Sequence, residues 1–217
     1  MRLFDRLANN KGTVSSALGK EIAKEILNGN YELLSDTIPF INYELRKIAF
    51  KHIRAGAAKI IECVAEKRPE LVAPYLESIL PALEVEEAQT RWMIFMTLGY
   101  CSKIESSIAE KALPYAKKCI FEKTDGQLCL VGAIDMYLGN WGKVSKNNAQ
   151  KAYNILVEST NNVLMNEQDW ILEGFLKIID LLNQDQKIVV AEFANEYIEN
   201  SKKATQKRAK KVIEKCN

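Results

Sequence analysis

A repeat with a period near 40 residues most constrains what this chain can fold into. Ala73-Pro74-Tyr75 and Leu113-Pro114-Tyr115 stand 40 residues apart. Pro39-Phe40 lies 35 residues before the first of them, Tyr153 lies 38 after Tyr115, and a similar step reaches Phe193. A second series is interleaved with the first: Arg54, Arg91, Cys129, Trp170 and Lys207, spaced 37, 38, 41 and 37. A unit of this length holds two helices that cannot bury their apolar faces alone, so neighbouring units must stack.

Proline is tolerated in the first turn of a helix, where its missing N–H would lack a partner anyway. Pro39, Pro74 and Pro114 are therefore predicted to mark the starts of first helices. Pro81 follows Pro74 too closely for that role and should kink or shorten its helix. The second helices are more apolar. Residues 53–64 keep small side chains early, and residues 91–101 are apolar nearly all round, so that helix must be covered on several sides. In residues 170–182 the polar stripe is confined to Glu173, Lys177 and Asp180, as suits an inner helix with one narrow wet strip.

The ends fit the same plan. Residues 15–28 read as an amphipathic helix with Ser15 or Ser16 as N-cap and Leu18, Ile22 and Ile26 on one face. Residues 204–216 place Ala209, Val212, Ile213 and Cys216 on one face and Lys or Arg on the rest, as a terminal cap requires. The organisation expected is one domain over 1–217: capping helices at 15–37, stacked pairs over 38–201, and a basic cap at 202–217.

The paired-helix unit, its period, the proline near the first helix and the Arg early in the second (Arg54, Arg91) together resemble the HEAT-repeat family. The resemblance covers roughly residues 31–216. It implies an all-α, right-handed superhelix of about five helix pairs with a concave wall built from the second helices. Cys129 and Trp170 stand where later units would carry the Arg.

Apolar residues at 47% and charged residues at 27% exclude a disordered chain. No stretch approaches the roughly 18 apolar residues of a membrane helix. The opening decapeptide has two Arg and an Asp where a signal peptide needs an apolar core. Five cysteines, without a CxxC, read as free thiols, the first four buried, in a reducing compartment. A cytoplasmic protein is expected, monomeric and without metal or cofactor. Charge is uneven. Residues 202–217 hold seven Lys or Arg against Glu214 alone, so residues 1–201 carry −4 of the formal net +2.

Signatures of catalysis are missing. His52 is the only histidine, which excludes HExxH and His-rich ligand sets. His52 reads as a junction residue between helices. No phosphate-binding glycine motif occurs, and Gly139-Asn140-Trp141-Gly142 reads as a turn, with Trp141 just past its helix. Asp135 is the one acidic or basic side chain of the Asp/Glu/Lys/Arg kind between Asp125 and Lys143. A carboxylate in such apolar surroundings must be solvated, paired or shifted in pKa. It reads either as a residue of the open or hydrogen-bonded face or as a general base.

The leading expectation is a non-enzymatic scaffold that presents a concave helical surface to a protein or peptide. Glu62, Arg91, Trp92, Asp135, Trp170, Glu173, Lys177 and Asp180 would line it. The alternative is a nucleic-acid-binding protein similar in design to the HEAT-like alkylpurine DNA glycosylases, where aromatic residues and an Asp line a basic groove. Asp135, Trp92 and Trp170 would then carry base excision, with Arg54, Lys207, Arg208, Lys210 and Lys211 on phosphates.

Overall fold

The computed structural model describes residues 2–10 and 17–217. Among them every regular element is helical, as the periodicity predicts. The chain divides into two compact units, Met1–Leu113 and Pro114–Asn217.

The first unit is organised by α4 (Lys51–Lys67). Around it pack α1 (Leu3–Asn9), α2 (Ala17–Leu27), α3 (Glu32–Ile41) and α7 (Ala88–Cys101). Its alanines explain this crowding: Ala57, Ala58 and Ala65 are fully buried between Ile53, Ile60, Ile61 and Val64. Each buried isoleucine contributes about 1.5–3 kcal/mol. Between α4 and α7 the chain runs through α5 (Pro69–Val72) and α6 (Leu76–Ile79), joined and followed by 3-10 turns. Prolines segment this stretch. Pro69, Pro74 and Pro81 each open a short piece, because none can supply the N–H that a continuing helix needs. The last short helix of the unit is α8 (Ser106–Glu110).

The second unit begins one residue into α9 (Leu113–Phe121). It continues with α10 (Leu128–Gly142), α11 (Lys146–Thr160), α12 (Gln168–Ile178), α13 (Gln184–Asn195) and α14 (Lys203–Cys216). Helices α10, α12 and α14 pack side by side in a row. On the other layer α11 packs on α10 and α12, and α13 packs on α14. Gln186 Nε2 ties the two outer helices by donating to Gln150 Oε1 at 2.9 Å.

Glycine sets the contact between α10 and α12. A Cβ on Gly139 would fall 2.9 Å from the Gly174 Cα, and one on Gly174 would fall 2.9 Å from the Asp135 carbonyl oxygen. A Cβ on Gly142 would meet Ile178 at 2.6 Å. The two backbones therefore touch where side chains would hold them apart.

Several expectations are corrected. Residues 139–142 are not a turn; they complete α10, and Trp141 lies within the helix, fully buried. Pro39 sits in the last turn of α3, not at its start, where a lost backbone hydrogen bond shortens the helix rather than breaking it. Pro114 alone of the three opens a longer helix. Tyr153 and Phe193 lie well inside α11 and α13, whose starts are fixed upstream by Ser145 and by the Asn183–Gln186 capping box. What the first series marks in this unit is a shared contact: both rings pack against Phe175 of α12, at 6.4 and 6.2 Å. The second series does fall within the first five residues of α4, α7, α10, α12 and α14. All five cysteines are free, but Cys129 is exposed and only Cys101 of the first four is buried. The expected caps Ser15 and Ser16 lie outside the described residues. The last helix buries Ala209, Val212 and Cys216 as predicted, with Thr205 in place of Ile213.

Candidate functional site

Arg54 was a candidate phosphate contact, and the structure places it elsewhere. It is 1% exposed. Its Nε and Nη2 donate to both carboxylate oxygens of Glu87 at 2.6 and 3.0 Å. Its Nη1 donates to the carbonyls of Tyr43, Glu44 and Lys47 at 2.9–3.1 Å. Those carbonyls belong to a turn in which Glu44 takes a left-handed φ of 46°. All three guanidinium nitrogens donate, so Arg54 knots the turn before α4 to the start of α7.

Asp135 of α10 is also fully buried, but it is differently served. Ser159 Oγ of α11 donates to its Oδ1 at 3.0 Å, while its Oδ2 has no hydrogen-bond partner. Beside it lies a buried ion pair, Lys123 Nζ to Glu167 Oε1 at 2.7 Å. The same ammonium donates to the Ser159 carbonyl at 2.9 Å, and Glu167 Oε2 accepts the Leu164 amide at 2.6 Å. One cation thus faces two carboxyl groups, and Glu167 holds its attention. Burial drives the Asp135 carboxyl well above the usual carboxylate range, and the negative Glu167 adds to this; Ser159 and Lys123 oppose it. The neutral state of the cluster is the one with the proton on Asp135. A general base must be ionised and reachable. Asp135 is sealed from solvent and its carboxyl is pushed toward the neutral form, so it does not line an open wall.

The remaining residues of the predicted stripe come together around α12. Trp170 is 40% exposed, and its indole lies flat over Gly132 of α10, where a Cβ would be 2.9 Å from the ring. With Met136, Asn166, Asp169, Glu173 and Arg208 it lines an open recess of about 530 Å³. Arg208 of α14 donates to Asp169 at 2.8 Å and to Glu173 at 3.3 Å. Asp180 takes Lys215 of α14 at 2.6 Å. Lys177 donates to Asn140 Oδ1 at 3.1 Å, and its pKa is lowered by burial and by Lys143. The acidic stripe and the basic final helix, read separately in the sequence, are partners here. The charge of the stripe is largely met by α14 within the unit.

In the first unit Glu62 pairs with Lys59 at 2.6 Å, while Arg91 and Trp92 are half-buried near the start of α7. His52 occupies the second position of α4, just after the 3-10 turn at residues 48–50. Sequence reasoning missed Lys123, Ser159 and Glu167, because each looks like an ordinary polar residue near a helix end. The only signal was Asp135 itself, an acid that needed buried company.

Among the described residues no helix is long and apolar enough to cross a membrane. No family model matches the chain, and no curated protein matches it. Solved structures do. A crystal structure of an engineered protein from the Northeast Structural Genomics Consortium is similar at a TM-score of 0.70 and 14% identity, over 100% of this chain and 99% of that one. A second engineered protein from the same consortium is similar at 0.62 and 12%, over 100% and 97%. At these identities the likeness is one of fold alone.

Proposed function

We propose that the chain is a HEAT-like solenoid scaffold that binds a protein or peptide segment without catalysing a reaction. The partner lies along the face formed by α10, α12 and α14, which would be the concave wall of a right-handed superhelix. The alternation of helices at a period near 40 residues supports the repeat reading. Five free thiols support a cytoplasmic setting.

The observation that carries the binding site is the recess at Trp170. A large ring, held flat by a glycine-backed helix and still two-fifths exposed, is a preformed anchor. Such rings dominate binding energy when a partner covers them. Asp169, Glu173 and Arg208 form a polar rim that fixes orientation. The base-excision reading loses its support, since Asp135 is sealed and Arg54 is knotted.

Two variants test the proposal in the full chain: Trp170→Ser, which removes the anchor, and Met136→Lys, which puts a charge at its mouth. Partners captured from native cell extract are compared with those of the wild type, with thermal melts as the folding control. Loss of an anchor of this type costs about 2 kcal/mol or more, so capture should weaken about thirtyfold in both. Undiminished capture by two folded variants would sink the reading.

A further inference from the structure

The cations of α14 fall into two sets. Arg208 and Lys215 are turned to α12 and pair with Asp169, Glu173 and Asp180, and Lys202, just before the helix, donates to Asn166. Lys203, Lys207, Lys210 and Lys211 are exposed, and none forms an ion pair with a described residue. They stand at i, i+4, i+7 and i+8, on one face about 12 Å long. With Gln206 and Glu214 they line a second open recess, also of about 530 Å³.

Solvation alone does not account for this face. Mixed charges keep a helix wet equally well, whereas like charges four residues apart on a helix repel. An anionic group seated across them relieves that repulsion. We infer that the outer face of α14 docks an acidic protein segment, whose Asp and Glu side chains pair with these four lysines. This surface is distinct from the Trp170 recess, and either can fail without the other.

Two observations favour an acidic peptide over nucleic acid. Residues 202–217 contain no aromatic side chain on which a base could stack. The rest of the unit, residues 114–201, has eight Lys or Arg against twelve Asp or Glu, with Glu192, Glu196 and Glu199 exposed on or just after α13. A long polyanion that overran the lysine face would be repelled there, and a short acidic segment would not. Insertion into a bilayer is also disfavoured, because the apolar side of α14 is already buried through Ala209, Val212 and Cys216.

The test is fluorescence anisotropy with the full chain and a labelled peptide of about twelve residues, half of them Glu or Asp, at about 50 and about 150 mM salt. Single-stranded and duplex oligonucleotides of matched charge serve as rivals. The variant carries Lys203→Gln, Lys207→Gln, Lys210→Gln and Lys211→Gln; all four side chains are exposed, so its melt should match the wild type. Lys207→Gln with Lys211→Gln is the milder version. The peptide should bind the wild type about tenfold tighter than the quadruple variant, weaken as salt rises, and bind Trp170→Ser as it binds the wild type. Equal binding by the variant, no binding at the lower salt, or tighter binding of either oligonucleotide would overturn the inference.

Discussion

The two units solve the same problem, a central helix packed on several sides, in opposite ways. In the first, α4 carries its buried charge as Arg54, whose guanidinium group meets one carboxylate and three carbonyls. In the second, α10 carries Asp135, with one hydrogen bond and one oxygen left over. The glycines differ as well. Gly56 of α4 faces only the tip of Leu7, at 2.9 Å, whereas Gly139 and Gly174 face backbone. The first unit is locked by polar saturation. The second is locked by backbone contact, beside a buried acid whose pKa is raised and a tryptophan two-fifths exposed. Of the two central helices, it is α10 that carries a buried carboxyl oxygen without a hydrogen-bond partner.

The largest expected effect breaks the first lock. Arg54→Ala strands the buried Glu87 carboxylate and the three turn carbonyls, and should cost about 3–5 kcal/mol in urea unfolding. A loss below about 1 kcal/mol would mean that the knot adds nothing beyond an exposed pair.

Next come the glycines. Gly139→Ala or Gly174→Ala must push α12 from α10 and should destabilise by about 1–3 kcal/mol. Gly56→Ala meets only a movable leucine tip, so the helical preference for alanine should make it neutral or stabilising by up to about 1 kcal/mol. If all three variants behave alike, the contrast between the units is wrong.

The smallest effect concerns pH. The Asp135 carboxyl is raised in the folded state, so the folded chain holds a proton that the unfolded chain releases above about pH 4. Its contribution is fully present below the unfolded-state value and is lost as pH rises toward the folded-state value. Asp135→Asn should therefore match the wild type near pH 4 and melt higher than it at pH 7. A variant that melts lower at pH 7 would show an ionised, stabilising Asp135.

Much of the fold is legible in the sequence, for identifiable reasons. The series from Arg54 to Lys207 falls near the start of five helices, although Arg54 is the one member that is buried and Cys129 and Lys207 are exposed. The proline series misleads, since proline also fits a last turn, as Pro39 does, or a broken stretch, as Pro74 and Pro81 do. Gly139 and Gly142 look like a turn because their reason for being in a helix lies on α12, some 35 residues away. The site is less legible. Asp135, Trp170 and the stripe at Glu173 were visible as anomalies of pattern, but which of them face solvent depends on α14. Only the folded chain reveals that Arg208 and Lys215 meet that stripe.

The most direct test of the claim that the second unit holds the partner uses one tryptophan position from each unit as a reporter. Benzoylphenylalanine is placed at Trp92 in one full-length chain and at Trp170 in another, and each is irradiated in native cell extract. Covalent capture of a specific protein or peptide through position 170, and not through position 92, is the result predicted. Capture through position 92 alone, or through neither, would contradict it.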